Sequence, residues 1–145
     1  MEIYTIGSGQ KSASEFFGTL ERAGIKRLVD IRLNNTSQLA GFTKKDDLRY
    51  FLRRILLADY HHEPMLAPTQ EILDAFKKSK GSWEEYEKSF VALMDDRKAE
   101  DIIERSLFEL PTVLLCSEPK PDKCHRRLVA EYLKSKWGDV EIVHL

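Results

Sequence analysis

The sequence has little of what marks a stapled, disordered or membrane-embedded chain. Its 145 residues include only two cysteines, too few for a disulfide framework, and a chain of this length buries about 68–70% of the surface it exposes unfolded, so it needs no staples. Seven glycines and five prolines exclude a collagen-like or low-complexity chain. No apolar run approaches the roughly 18 residues of a membrane span. Neither sign of charge dominates: 23 Lys and Arg against 24 Asp and Glu leave a formal net charge of -1. That balance argues against sequence-independent wrapping of nucleic acid, which needs a clearly basic surface. What the chain does have is 42% hydrophobic and 32% charged residues, the composition of a compact globular protein. Glu2 stands where a secretory leader would carry bases, so the expectation is a cytoplasmic protein whose thiols stay free.

Strand and helix signals alternate along the chain. Glu2 to Ile6 is a short apolar strand ended by Gly7-Ser8-Gly9, and Ser12 with Glu15 forms a capping box ahead of Phe16, Phe17, Leu20 and Ala23 at helical spacing. Gly24 ends that helix, and Leu28 to Arg32 is the second strand, which completes a βαβ unit. A second helix runs from Thr43, with Leu48, Phe51, Leu52, Ile55 and Leu56 on one face and most of the basic residues from Lys44 to Arg54 elsewhere. Ala58 to Pro64 reads as a brief strand, and a helix after Pro68 turns Ile72, Leu73 and Phe76 inward. A long helix starts at Ser82 with Trp83, Tyr86, Phe90, Leu93 and Met94 as a core stripe, and helix resumes over Ala99 to Glu109. Thr112 to Cys116 is a strand buried on both faces, Cys124 to Trp137 a helix and Val140 to Leu145 a last strand. With no repeat and no linker, the pattern predicts a single α/β domain over residues 1–145. Its sheet is open and mainly parallel, with helices on both faces.

Such sheets bind ligands beyond the carboxyl ends of their strands, where loops converge and helix N-termini present free amides. Those ends carry Gly7 and Ser8, then Asp30 and Arg32 followed by Asn34 to Ser37, then Cys116, Ser117 and Glu118, and finally Cys124, His125, Arg126 and Arg127 at the start of a helix. Asp30 and Arg32 form either a structural ion pair or part of a site. Cys116 closes an apolar run, as a buried structural cysteine would. Cys124 is at a helix N-terminus among Lys123, Arg126 and Arg127, which favours its thiolate and makes it the better nucleophile. Arg126 is a cation where the helix dipole disfavours one, so an anion is expected beside it, either Glu118 or a bound ligand.

Metal binding by Cys116, Cys124 and His125, helped by Glu118, His61 or His62, is a rival reading. The short cysteine pairs of zinc modules are absent, however, and neighbours on a helix point about 100° apart. No Gly-rich phosphate cradle is present, because Gly7-Ser8-Gly9 lacks the rest of either fingerprint. The cofactor is therefore unknown.

The motifs Tyr4-Thr-Ile-Gly7, Leu28-Val-Asp-Ile-Arg32, Leu114-Leu-Cys116-Ser-Glu118 and Cys124-His-Arg126 resemble a prokaryotic family known as domain of unknown function 488. The resemblance covers essentially the whole chain. It implies an α/β fold and carries over Asp30, Arg32, Cys116, Glu118, Cys124, His125 and Arg126 as motif positions. One residue departs from the pattern, since that family's first motif has a histidine where this chain has Ser8.

Three functions fit these residues. The first is an enzyme on a small phosphate-bearing or nucleotide-like substrate. There Arg32, Arg126, Cys116 and Ser8 hold the anion, Asp30, Glu118 and His125 handle protons, and Cys124 is the nucleophile. The second is a non-catalytic module that binds a nucleotide or nucleic acid through the same arginines and the basic helix. The third is thiol or metal chemistry at Cys116 and Cys124. None of them involves a membrane, and the oligomeric state is not set by the sequence.

Overall fold

In a computed structural model that describes residues 1–36 and 41–145, every strand pairs in parallel. The strands are β1 (Glu2–Gly7), β2 (Arg27–Asp30), β3 (Asp59–His62), β4 (Thr112–Cys116) and β5 (Glu141–His144), in the order β3-β2-β4-β1-β5. Alternate residues of the central strands feed two separate cores. Ile6, Leu28, Val113 and Leu115 pack on one face with Phe16, Phe17 and Leu20 of α1 (Ala13–Arg22) and Leu48 of α2 (Lys45–Phe51). Ile3, Val29, Leu114 and Cys116 pack on the other with α4 (Trp83–Arg97), α5 (Ala99–Ile102) and α6 (His125–Trp137). A strand apolar on both sides needs helices on both sides, and it has them: the α/β fold with an open parallel sheet is what the sequence predicts. No helix among the described residues is long and apolar enough to cross a membrane.

Helix starts follow the local signals. Ser12, Thr69 and Ser82 each accept the amide three residues on, and they open α1, α3 (Gln70–Lys77) and α4. Two helices depart from expectation. α2 widens into a π-helical turn over Leu52–Leu56, so Leu48, Leu52 and Leu56, four apart, line up in the core while Ile55 turns outward, 45% exposed. The run Ala99 to Glu109 is not one helix, because α5 ends at Ile102 and a 3-10 segment covers Arg105–Glu109. Ile103 and Phe108 are both buried in one core, and an unbroken α-helix would set them roughly 140° apart.

The connections place the site. From β1 the chain crosses by α1 toward β2 on one face; from β4 it crosses by α6 toward β5 on the other. Right-handed crossovers running in opposite directions along a sheet must cover opposite faces, and their loops part at the strands' carboxyl ends. The β1 side of that parting is closed. Ser8 N and Gly9 N donate to the carbonyls of Cys116 (3.0 Å) and Ser117 (2.8 Å), which extends the ladder beyond Gly7. A Cβ on Gly7 would lie 1.6 Å from the Glu118 carbonyl oxygen, so only glycine allows this approach. The opening lies instead over the ends of β2 and β4.

Candidate functional site

A cavity of about 260 Å³ occupies that opening. It is lined by Arg32, Cys116, Cys124 and His125 from the sheet ends and the start of α6, by Leu73, Phe76, Trp83 and Tyr86 from α3 and α4, and by Asn34, Lys77, Glu118 and Lys123. The aromatic wall is ordered by stacking, with Trp83 and Tyr86 nearly parallel at 5.0 Å and Tyr86 and Phe90 at 6.1 Å. The stripe read from the sequence as core is therefore divided. Phe90 and Met94 are buried, whereas Trp83 and Tyr86 also face the cavity. The one local hint was that Trp83 directly follows the cap Ser82, at the end of α4 where loops meet.

The two sulfurs are joined. Cys116 and Cys124 form a disulfide with their Cα atoms 7.3 Å apart, and no cysteine is free, which corrects the expectation of free thiols. The loop from Ser117 to Lys123 makes the contact, folding the start of α6 back over the end of β4. A ring nitrogen of His125 lies within 4.8 Å of both sulfurs. This too differs from expectation, because Cys124 is the cap of α6 with extended backbone (φ -137°, ψ 139°), so the helical 100° offset between neighbours does not apply. His125 Nε2 lies 2.6 Å from the carbonyl oxygen of Ile31. Burial pulls its pKa down to about 4, against a smaller upward pull from that carbonyl. At neutral pH the ring is uncharged, so Nε2 carries the proton donated to Ile31 and Nδ1 keeps its lone pair.

The charged residues have settled partners. Asp30 is fully buried and takes Arg32 in a fork, Nε to Oδ1 and Nη2 to Oδ2, both 2.8 Å, and its Oδ2 also accepts the Tyr60 hydroxyl at 2.6 Å. Burial and the Asp30 carboxylate raise the Tyr60 pKa and keep that proton in place. Arg32 Nη2 also reaches the Thr43 carbonyl, and Nη1 is buried with no hydrogen-bond partner among the described residues. Glu118 is bound by Lys77 at 2.7 Å. Arg126 does not pair with the Glu118 carboxylate. Fully buried, it donates Nη1 to the Glu118 carbonyl at 2.6 Å and leaves Nε and Nη2 without partners among the described residues, and burial lowers its pKa to about 10.

Of the residues picked from the sequence, Arg32, Cys116, Glu118, Cys124 and His125 thus meet around one cavity. Asp30, Arg126 and Ser8 do not line it. Asp30 holds Arg32 from behind, Arg126 lies under the closed Gly7 end, and Ser8 is buried beside Cys116. His61 pairs with Glu63, His62 meets the Arg32 carbonyl and His144 meets Thr5, so none of the three joins the sulfurs. Ser37, read as part of the loop after β2, lies outside the described residues.

Two bonded sulfurs in the wall of an open cavity can exchange with a thiol, and once reduced can act as nucleophile or ligand. No curated protein and no solved structure is significantly similar to the chain. One family model does match, over residues 12–133, so that Tyr4 to Gly7 and the departure at Ser8 precede the matched stretch. On that match, which spans β2, the cavity and most of α6, the chain belongs to the family described as domain of unknown function DUF488.

Proposed function

We propose that this protein is a thiol–disulfide oxidoreductase whose substrate is a small anionic thiol held in the cavity. The observation that carries the reading is the Cys116–Cys124 pair in the cavity wall, with Cys124 at the N-terminus of α6. A substrate thiolate attacks Sγ of Cys116. The disulfide breaks and its electron pair leaves on Cys124 Sγ, where the free amides of the helix stabilise the thiolate. A second substrate thiolate then attacks the substrate sulfur of the mixed disulfide and releases Cys116. Two electrons have passed to the protein, two protons have left the substrate thiols, and the substrate is a disulfide.

Other groups position the substrate. Arg32 Nη1 and Lys123 offer charge to its anionic end, and Trp83 and Tyr86 cover its apolar part. His125 is too weak a base to take a thiol proton at neutral pH and acts as a positioning residue. A phosphate-bearing ligand would use the same cations. The basic helix on which a nucleic-acid reading relies packs on the opposite sheet face through Leu48, so a small ligand is the better fit. A cytoplasmic location suits a cycling pair, since disulfides there are mostly transient and catalytic or redox-sensing.

The test is redox titration of the oxidised protein against glutathione, with thiols counted by mass after alkylation. The expected result is reversible reduction with a midpoint above about -300 mV, where structural disulfides do not respond, and, in Cys124→Ser exposed to glutathione disulfide, a trapped mixed disulfide on Cys116 with release of one glutathione thiol. A pair left intact by millimolar glutathione would refute the proposal.

A further inference from the structure

The same three side chains suit a second state. We propose that the reduced protein binds one thiophilic divalent metal ion, Zn²⁺ in the first instance, through Cys116 Sγ, Cys124 Sγ and His125 Nδ1, with the fourth position open to the cavity. This goes beyond exchange with thiols and rests on it only in that the pair must be reducible.

Backbone spacing is the first argument. The Cα atoms of Cys116 and Cys124 are 7.3 Å apart, wider than the roughly 4.4–6.8 Å usual for cross-linked cysteines. Two thiolates on either side of one ion need such width, since zinc–sulfur bonds of about 2.3 Å in a tetrahedron hold the sulfurs about 3.8 Å apart. The donor set is the second. Both sulfurs and a ring nitrogen of His125 lie within 4.8 Å of one another, so an ion between them needs only small side-chain rotations. Orientation is the third. His125 Nε2 is held on the Ile31 carbonyl at 2.6 Å, which fixes the ring and leaves Nδ1 to coordinate; ligating histidines are commonly held in this way.

The fourth position is open because no other His, Cys, Asp or Glu among the described residues joins the group. Glu118, two residues after Cys116, is held by Lys77. Three protein ligands and a solvent-facing position are the arrangement of catalytic rather than structural zinc. All three ligands line the cavity, so a substrate atom entering it could take that position. The sequence argument against the site, that neighbouring residues diverge on a helix, fails because Cys124 is extended. Reduction by a phosphine or dithiol supplies two electrons and two protons to the disulfide. The ion then displaces both thiol protons, so binding releases two protons per chain.

The experiment titrates Co²⁺, then Zn²⁺, into protein reduced with a phosphine, after the free thiols per chain have been counted. One equivalent of Co²⁺ should give the intense visible absorption of a tetrahedral thiolate site, and Zn²⁺ should abolish it. His125→Ala should weaken binding more than about 100-fold, since it removes a ligand rather than a group that only orients one, and Cys124→Ser should abolish the spectrum. His125→Gln, which can keep the bond to Ile31, serves if the alanine variant fails to fold. Two free thiols with no spectrum, or binding that neither His125 variant changes, would overturn the metal site and leave the exchange reaction standing. A pair that the phosphine cannot reduce would overturn both.

Discussion

His125 makes the stability of the oxidised protein depend on pH between its folded and its unfolded titration. Unfolded, its imidazole takes a proton near pH 6.5; folded, burial delays that to about 4, with Arg126 adding to the shift and the Ile31 carbonyl, Asp30 and Glu118 opposing it. Between those values the unfolded chain binds the extra proton, so stability is highest above pH 6.5 and falls as the pH drops toward 4. At 1.36 kcal/mol per unit the full loss is about 3 kcal/mol. The assay is urea unfolding of oxidised, chelator-treated protein from pH 7.5 to 4, alongside His125→Gln. The carboxylates titrate in both proteins and cancel in the difference. The gap between wild type and variant should change by about 3 kcal/mol over the window, with wild type losing more. Parallel pH profiles, or an NMR titration of His125 near its ordinary value, would refute the buried neutral imidazole.

Three further outcomes follow from the packing. Asp30→Ala leaves the Arg32 guanidinium buried with one carbonyl partner and should cost about 3–5 kcal/mol in urea unfolding, while Asp30→Ala with Arg32→Met should recover most of it. A loss under about 1 kcal/mol in the single variant would show that Arg32 finds water. Gly7→Ala forces the Glu118 carbonyl and the Arg126 Nη1 atom, 2.4 Å from the new Cβ, to move, and thermal unfolding should register about 1–3 kcal/mol; an unchanged midpoint would mean the β1 end is not closed. Ser82→Ala removes the oxygen that accepts the Glu85 amide at 3.1 Å and should cost about 1 kcal/mol by the same assay.

Legibility of the site varied residue by residue. Cys116 and Cys124 could be placed on one rim because one ends a strand, the other starts a helix, and only seven residues separate them. Their bonding could not, because it depends on how Ser117 to Lys123 fold back. Arg126 showed what charge reasoning leaves out: the guanidinium expected to meet the Glu118 carboxylate or a ligand lies beneath Gly7 and donates to the Glu118 backbone carbonyl instead of its carboxylate. Asp30 and Arg32, left open between a structural ion pair and part of a site, do form a buried pair, and its further partners, Tyr60 and the Thr43 carbonyl, come from distant segments that local spacing does not reveal.

Alone, the sequence determined the strands, the caps at Ser12 and Ser82, and the two apolar faces of β4, because each depends on contacts within one turn or on strict alternation. Tertiary structure decided which carboxyl end is open. Gly7 admits the loop after β4 and shuts the β1 side, while α3 and α4 bring Phe76, Trp83 and Tyr86 to the same cavity as the sulfurs. Those residues are thirty or more positions from Arg32 on one side and Cys116 on the other, and no local pattern encodes a contact that forms only when the whole sheet is assembled.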